Sequence, residues 1–332
     1  MSLAGVRRRG WLAQGRCWAL AGLLGMLAPA LAAPADPFFD KLLVLGTGTP
    51  GGAFLPIGET LCEAVNAHRQ SHGVRCVAPP TAGSVYNINA VNNGRLQLGL
   101  AQEDLVLEHL SGRRGPGYDG LRVVAVTHES PITIIVRGDA PAQQLPQIKG
   151  LRLNMGNRGS GQHAVSAAIV KALGLAEKDF ARVMNEPTSA FERLFCGGQV
   201  DVVFEILPHP APVVDKLLAC GGRLLAMPPE IARQLAAGNP ALVPMSIPGG
   251  TYPSQTAPVA SLGVRNLLLS HERVASESIA RLAQALALQE RAMKDEQPLL
   301  ATMPPIAGGL VSPGQAQARW PLHEGVLRAP AR

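Results

Sequence analysis

An α/β fold in two lobes around a central cleft is predicted by three observations on this chain. Its 332 residues are about twice the size of an ordinary domain. Short apolar runs alternate along it with segments of helical apolar spacing. A strand, a Gly-rich loop and a helix over residues 41–69 recur in the same order over 151–173, so a second domain of like design starts near residue 138. The 47% apolar share is that of a folded globular protein. Aromatics are only 4%, while Gly and Pro number 36 and 28, so turns and aliphatic packing carry the organisation.

The elements follow in order. Lys41 to Leu45 reads as a short buried strand ending at Gly46. Phe54 to Arg69 carries Leu55, Ile57, Leu61 and Val65 near helical spacing. Gly73 to Ala78 is a second strand, Ser84 to Asn93 a helix opened by a Ser cap, and Leu96 to Ala101 a third strand. Leu121 to Val126 and Ile132 to Arg137 read as two β-branched strands around a Pro-containing turn. In the second unit, Leu151 to Met155 is a strand, the loop Gly156 to Gly161 follows, and Gln162 to Leu173 is a helix. Helices over Ala190 to Cys196 and Val213 to Ala219 alternate with strands over Val200 to Glu205 and Arg223 to Met227. Pro244 to Pro258 reads as a linker, Val259 to Val264 as a strand rejoining the first sheet, and Ser270 to Lys294 as a long helix. The expected organisation is residues 34–137 plus 254–332 in lobe 1 and 138–253 in lobe 2, with crossings near 132–138 and 244–258.

Residues 1–33 have the three-part layout of a secretory signal: cations through Arg16, an apolar run from Cys17 to Leu27, and small residues around Ala30, Ala32 and Ala33. Export to the periplasm is expected, with cleavage near Ala32 or Ala33. Arg8-Arg9 also resembles a twin-arginine signal, so the route stays open. Arg7, Arg8, Arg9 and Arg16 supply much of the formal charge of +6. Without them the chain holds 26 basic against 24 acidic residues, a balance too near neutral to draw a phosphate backbone, so no nucleic-acid partner is expected. Four cysteines remain: Cys62, Cys76, Cys196 and Cys220. Pairing neighbours gives Cys62–Cys76 and Cys196–Cys220, each closing a loop worth about 3 kcal/mol; four buried thiols are the alternative.

Two loops could carry chemistry. Gly46-Thr47-Gly48-Thr49-Pro50-Gly51 satisfies GxGxxG between a strand and a helix, yet no acid stands about 20 residues on to hold a ribose, so no dinucleotide cofactor is expected. Its glycines instead let helix-start N–H groups approach a ligand. Gly156 to Gly161 lacks the Lys-Ser/Thr of a nucleotide-binding loop and suits a carboxylate, with the Ser160 hydroxyl as donor and Arg158 as cation. His68 and His72 have the spacing of two metal ligands, but no acid follows His68 and the helix is ending there, so no metal is expected. No GxSxG occurs, and Ser84 and Ser160 have no neighbouring base. An enzyme is not expected.

Five segments then line up with one family: GTGTPGGAFLPIG (46–58), PTAGSVYNINAVNNGRLQLGLAQED (80–104), IKGLRLNMGNRGSG (148–161), GGQVDVVFE (197–205) and IPGGTYP (247–253). The chain resembles the TAXI-type substrate-binding proteins of tripartite ATP-independent periplasmic (TRAP) transporters. The resemblance implies a two-lobed periplasmic-binding-protein-like fold of type II, with lobes hinged around a cleft. It implies a monomeric receptor for a small organic anion, a carboxylate or an amino acid such as glutamate, that docks on TRAP membrane permease subunits. Carried over by motif position, the ligand contacts are Gly48, Gly52, Phe54, Thr81, Ser84, Asn87, Gln102, Asp104, Gly159, Ser160, Gly161, Phe204, Thr251 and Tyr252, with Arg158 as an added anion contact. The chain departs from the family at Ala53-Phe54-Leu55, where Thr-Tyr or Tyr-Tyr is usual, and at Arg158, Gln162, Glu205 and His209. Two other readings stand beside the receptor: an exported enzyme on the same fold, and the receptor of an ATP-driven importer or a sensor kinase.

Overall fold

The structure, a computed structural model, describes residues 41–304 and 320–328. Residues 1–33, where an export signal with cleavage near Ala32 or Ala33 is expected, lie outside the described residues.

The strands form a curled mixed sheet in two halves. β1 (Leu42–Gly46) lies between the parallel neighbours β2 (Arg75–Val77) and β3 (Leu98–Gln102). Enclosed on both sides, β1 is a nearly unbroken apolar run. β10 (Val259–His271) pairs antiparallel with β3, and β4 (Leu121–Arg137) pairs antiparallel with β10. The last third of β4 changes partners: Ile132–Val136 pair with β7 (Val202–Ile206) and Ile134–Arg137 with β8 (Gly222–Leu225). β5 (Arg152–Asn154) lies parallel to β7 and to β6 (Arg182–Met184). Thus one 17-residue strand belongs to both halves.

Helices cover both faces of each half. In the first, α1 (Phe54–Ala67) and α9 (Ser276–Glu296) pack with Leu43, Leu45, Leu98 and Leu100 on one face. On the other, α3 (Ser84–Asn92) and α4 (Glu103–Leu110) pack with Val123, Val126 and Leu267. In the second half, α5 (Gly161–Ala172) and α8 (Pro229–Gly238) cover Leu153, Val202 and Phe204, while α6 (Phe191–Cys196) and α7 (Pro212–Ala219) cover Ile135 and Val203. Short α2 (Arg69–His72) and α10 (Glu324–Arg328) complete the helices named here. Both expected disulfides are formed, Cys62–Cys76 in the first half and Cys196–Cys220 in the second.

Four sequence expectations need correction. The stretch around Pro131 is no turn: β4 runs through it, with Pro131 opposite Gly263 and Ile132 beginning the next ladder. The expected linker opens with strand β9 (Val243–Ile247), which pairs with Val259–Gly263 and hides its apolar signal behind Pro244. Ser270 and His271 complete β10, so the long helix begins at Ser276. Gly83, at φ +105°, caps α3, and Ser84 is already its first residue. Helices α4 and α8 and strand β6 were not anticipated.

Candidate functional site

The parallel strands β1, β3, β5 and β7 point their carboxyl ends at one cavity, where ligands of open α/β sheets are expected to bind. Its volume is about 60 Å³, and it opens to solvent. The first half contributes Gly48, Thr49, Gly52, Ala53, Phe54, Ala82, Gly83, Ser84 and Gln102; the second contributes Asn157, Ser160, Gly161, Gln162, Thr188, Glu205 and Ile206.

The N-termini of α1, α3 and α5 meet at this cavity. Ala53 precedes α1 and supplies no side-chain cap, so the first-turn N–H groups of this 14-residue helix are left without one. Ser160 caps α5: its oxygen accepts from the His163 N–H at 3.0 Å, and its hydroxyl donates to the Asn157 carbonyl at 2.6 Å. The hydroxyl donor expected for a ligand is therefore already engaged, although Gly161 and Gln162 keep their first-turn N–H groups.

Asn87 and Thr81, expected as ligand contacts, position the first loop. Asn87 is fully buried, and its Nδ2 lies 3.1, 2.7 and 2.8 Å from the carbonyls of Gly46, Thr47 and Leu100. The Thr81 hydroxyl is 3.0 Å from the Thr47 carbonyl and 2.7 Å from Asn87 Oδ1. This staple ties the ends of β1 and β3 to α3. A Cβ on Gly58 would fall 2.3 Å from Thr47 Cγ2, so α1 can approach the loop only with glycine there.

The two halves touch across the cavity mouth. Asn157 Nδ2 donates to the Ala82 carbonyl at 2.9 Å, and the Tyr86 N–H donates to the Gly159 carbonyl at 3.2 Å. The Gln102 amide packs so closely on Gly161 that a Cβ there would lie 2.1 Å from Gln102 Oε1.

Of the expected contacts, the cavity gathers Gly48, Gly52, Phe54, Ser84, Gln102, Ser160 and Gly161. The others lie elsewhere. Asp104 is buried on α4 against α5 and α8 in a separate cavity with Ala164, Ala168 and Gln234. Burial pushes its carboxyl up to about 7. Arg158 is exposed and does not line the cavity. Gly159 joins the two halves through its carbonyl. The Phe204 side chain is in the second core, and only its carbonyl reaches toward the site, accepting from Gln162 Nε2 at 2.5 Å. Thr251 bonds the Pro248 carbonyl. Tyr252 receives the Ala211 N–H at 2.9 Å, its hydroxyl lies 2.5 Å from His209 Nδ1, and His209 Nε2 faces the Thr133 hydroxyl at 2.8 Å. Burial pulls the His209 pKa down to about 4.

Glu205 is the unexpected member of the site. It is 4% exposed at the end of β7, accepts from the Thr188 hydroxyl at 2.5 Å and from the Ile206 N–H at 3.0 Å, and is pushed up to about 7 by burial. The sequence signal was an acid closing the apolar run Val202-Val203-Phe204. Thr188 carries no local signal, because only the tertiary fold brings it to Glu205.

Solved structures agree on the architecture. The chain is similar to PhnD1 from Prochlorococcus marinus (MIT 9301), solved in complex with methylphosphonate, at 11% identity and TM-score 0.53, over 79% of this chain and 91% of that one. It is similar to the periplasmic binding protein BugD at 14% identity and TM-score 0.52, over 79% and 88%. A protein from Bordetella bronchiseptica RB50 matches at 16% identity and TM-score 0.52, over 84% and 80%. At such identities the likeness speaks for the fold, which is the expected two-lobed periplasmic-binding-protein-like one. The family model described as NMT1-like family matches residues 45–329, and the chain belongs to that family.

Proposed function

We propose that this protein is an extracytoplasmic solute receptor that captures a small organic anion, a carboxylate or an amino acid such as glutamate, and hands it to a TRAP-type membrane permease. The observation that carries the reading is the convergence of the α1 and α5 N-termini, one from each half, on a single cavity. Each helix start presents unpaired N–H groups and the positive end of a helix dipole, so an anion is favoured there without a lysine or arginine. Ser84 and Ser160 bond backbone groups rather than a base, which supports binding over turnover. The five family-like segments support the TRAP assignment, an exported periplasmic location and a monomeric state. In this reading residues 34–137 with 254–332 form one lobe, 138–253 form the other, and the two close on the ligand.

A thermal-shift screen of carboxylates and amino acids tests it. A true ligand at a hundredfold excess over its Kd stabilises the protein by about 2.7 kcal/mol. Ala82→Trp, which fills the cavity mouth, abolishes that shift. Conversion of a hit to product, or a shift that survives Ala82→Trp, overturns the reading.

A further inference from the structure

The cavity holds donors and acceptors side by side. Helix starts supply the donors, and acceptor side chains stand next to them, Gln102 packed on Gly161 and Thr188, the partner of Glu205, close to Gly52. The Glu205 carboxyl can accept about four hydrogen bonds and receives two, from Thr188 and Ile206. Gln102 Oε1, buried on the same cavity, has no partner among the described residues. Among the described residues no lysine, arginine or histidine lines the cavity to balance Glu205. A buried carboxylate without a counter-charge is costly, and a ligand that brings the counter-charge relieves that cost. A plain carboxylate would satisfy the helix starts and leave Glu205 and Gln102 unanswered.

We propose that the solute carries an ammonium group received by Glu205 and Gln102, so that the receptor selects zwitterionic amino acids over simple carboxylates. This rests on the receptor reading and narrows it. The ligand carboxylate sits at the α1 and α5 starts, and its ammonium donates to the free lone pairs of Glu205. Thr188 is the positioning residue that holds the carboxyl in place. Arg158, exposed and outside the cavity, takes no part.

Matched pairs test the idea: each of the twenty standard amino acids against the carboxylic acid that lacks its α-amino group, glutamate against glutarate among them, by calorimetry on the purified full chain. At least one amino acid binds, its deaminated partner binds at least 100-fold more weakly, and Glu205→Gln removes about that factor from the amino acid alone. Thr188→Val, a second and milder variant, lowers amino-acid affinity about tenfold. A deaminated partner binding within threefold, wild-type affinity in Glu205→Gln, or no binding by any amino acid overturns the proposal. The failures are separable: deaminated acids that bind and are blocked by Ala82→Trp leave the receptor intact and remove only the ammonium, whereas binding indifferent to Ala82→Trp removes the cleft itself.

Discussion

The two strand–loop–helix units look alike in sequence and are held by different means. In the first, the loop between β1 and α1 is fixed by Asn87 and Thr81, side chains brought from α3 and the segment before it, and the helix start has no side-chain cap. In the second, Ser160 caps the helix and bonds the Asn157 carbonyl within the loop, which also meets the first half through Ala82 and Tyr86. A loop held from outside can leave its helix N–H groups for a ligand; one that caps its own helix keeps fewer to offer. Each half also carries one disulfide and one buried carboxyl of raised pKa, Asp104 in the first and Glu205 in the second.

The buried carboxyls separate the halves most strongly. An acid whose folded pKa lies above its unfolded value binds more protons when folded, so its contribution falls as pH rises between the two values. For Asp104 that window runs from the ordinary value 3.8 to about 7 and is worth about 4 kcal/mol; for Glu205 it runs from 4.5 to about 7 and is worth about 3 kcal/mol. Buried His128 and His209, pulled down to about 3 and about 4, act in the opposite sense: stability is lost as pH falls below the unfolded value near 6.5. Denaturant midpoints between pH 4 and 8 are therefore expected to peak at mildly acid pH. Asp104→Asn flattens the alkaline side more than Glu205→Gln does; equal slopes in all three proteins would refute this.

The disulfides give the next largest contrast. Cys62 and Cys76 are 4% and 2% exposed in the first core, whereas Cys196 and Cys220 are exposed. Replacing either pair by alanine costs about 3 kcal/mol, but a mild reductant reaches the second bridge first. Mass mapping after partial reduction and alkylation is expected to find label on Cys196 and Cys220 before Cys62 and Cys76. A smaller effect, about 2 kcal/mol, is expected of Asn87→Ala, which strands buried carbonyls of β1 and β3; a Tm within a degree of wild type would show that the staple is dispensable.

Much of this arrangement was legible in the residues. Alternating apolar runs located the strands, glycines marked both loops, and neighbour pairing found both disulfides. Parity was harder to read. Gln102 and Asp104 would share a face if β3 continued, but the strand ends at Gln102 and α4 begins at Glu103, which turns Asp104 toward α5. Phe204 and Glu205 are adjacent on β7 and so face opposite sides; the residue expected to contact ligand is in the core, and its neighbour reaches the cavity. Thr188 and Glu205 meet through folding of separate segments, a contact that no periodicity records.

The smallest predicted effect tests the opening contrast most directly. Ser160→Ala removes the cap of α5 and costs about 1 kcal/mol of stability. It also frees the His163 N–H, while the Asn157 carbonyl keeps the backbone N–H of residue 160. If the second loop is self-supporting, the loss stays local: Tm falls by a few degrees and ligand affinity changes less than threefold, because Gly161 and Gln162 still offer their N–H groups. A large loss of affinity with unchanged Tm would mean that Ser160 serves the ligand rather than the helix, and the two loops would then be alike in use as well as in sequence.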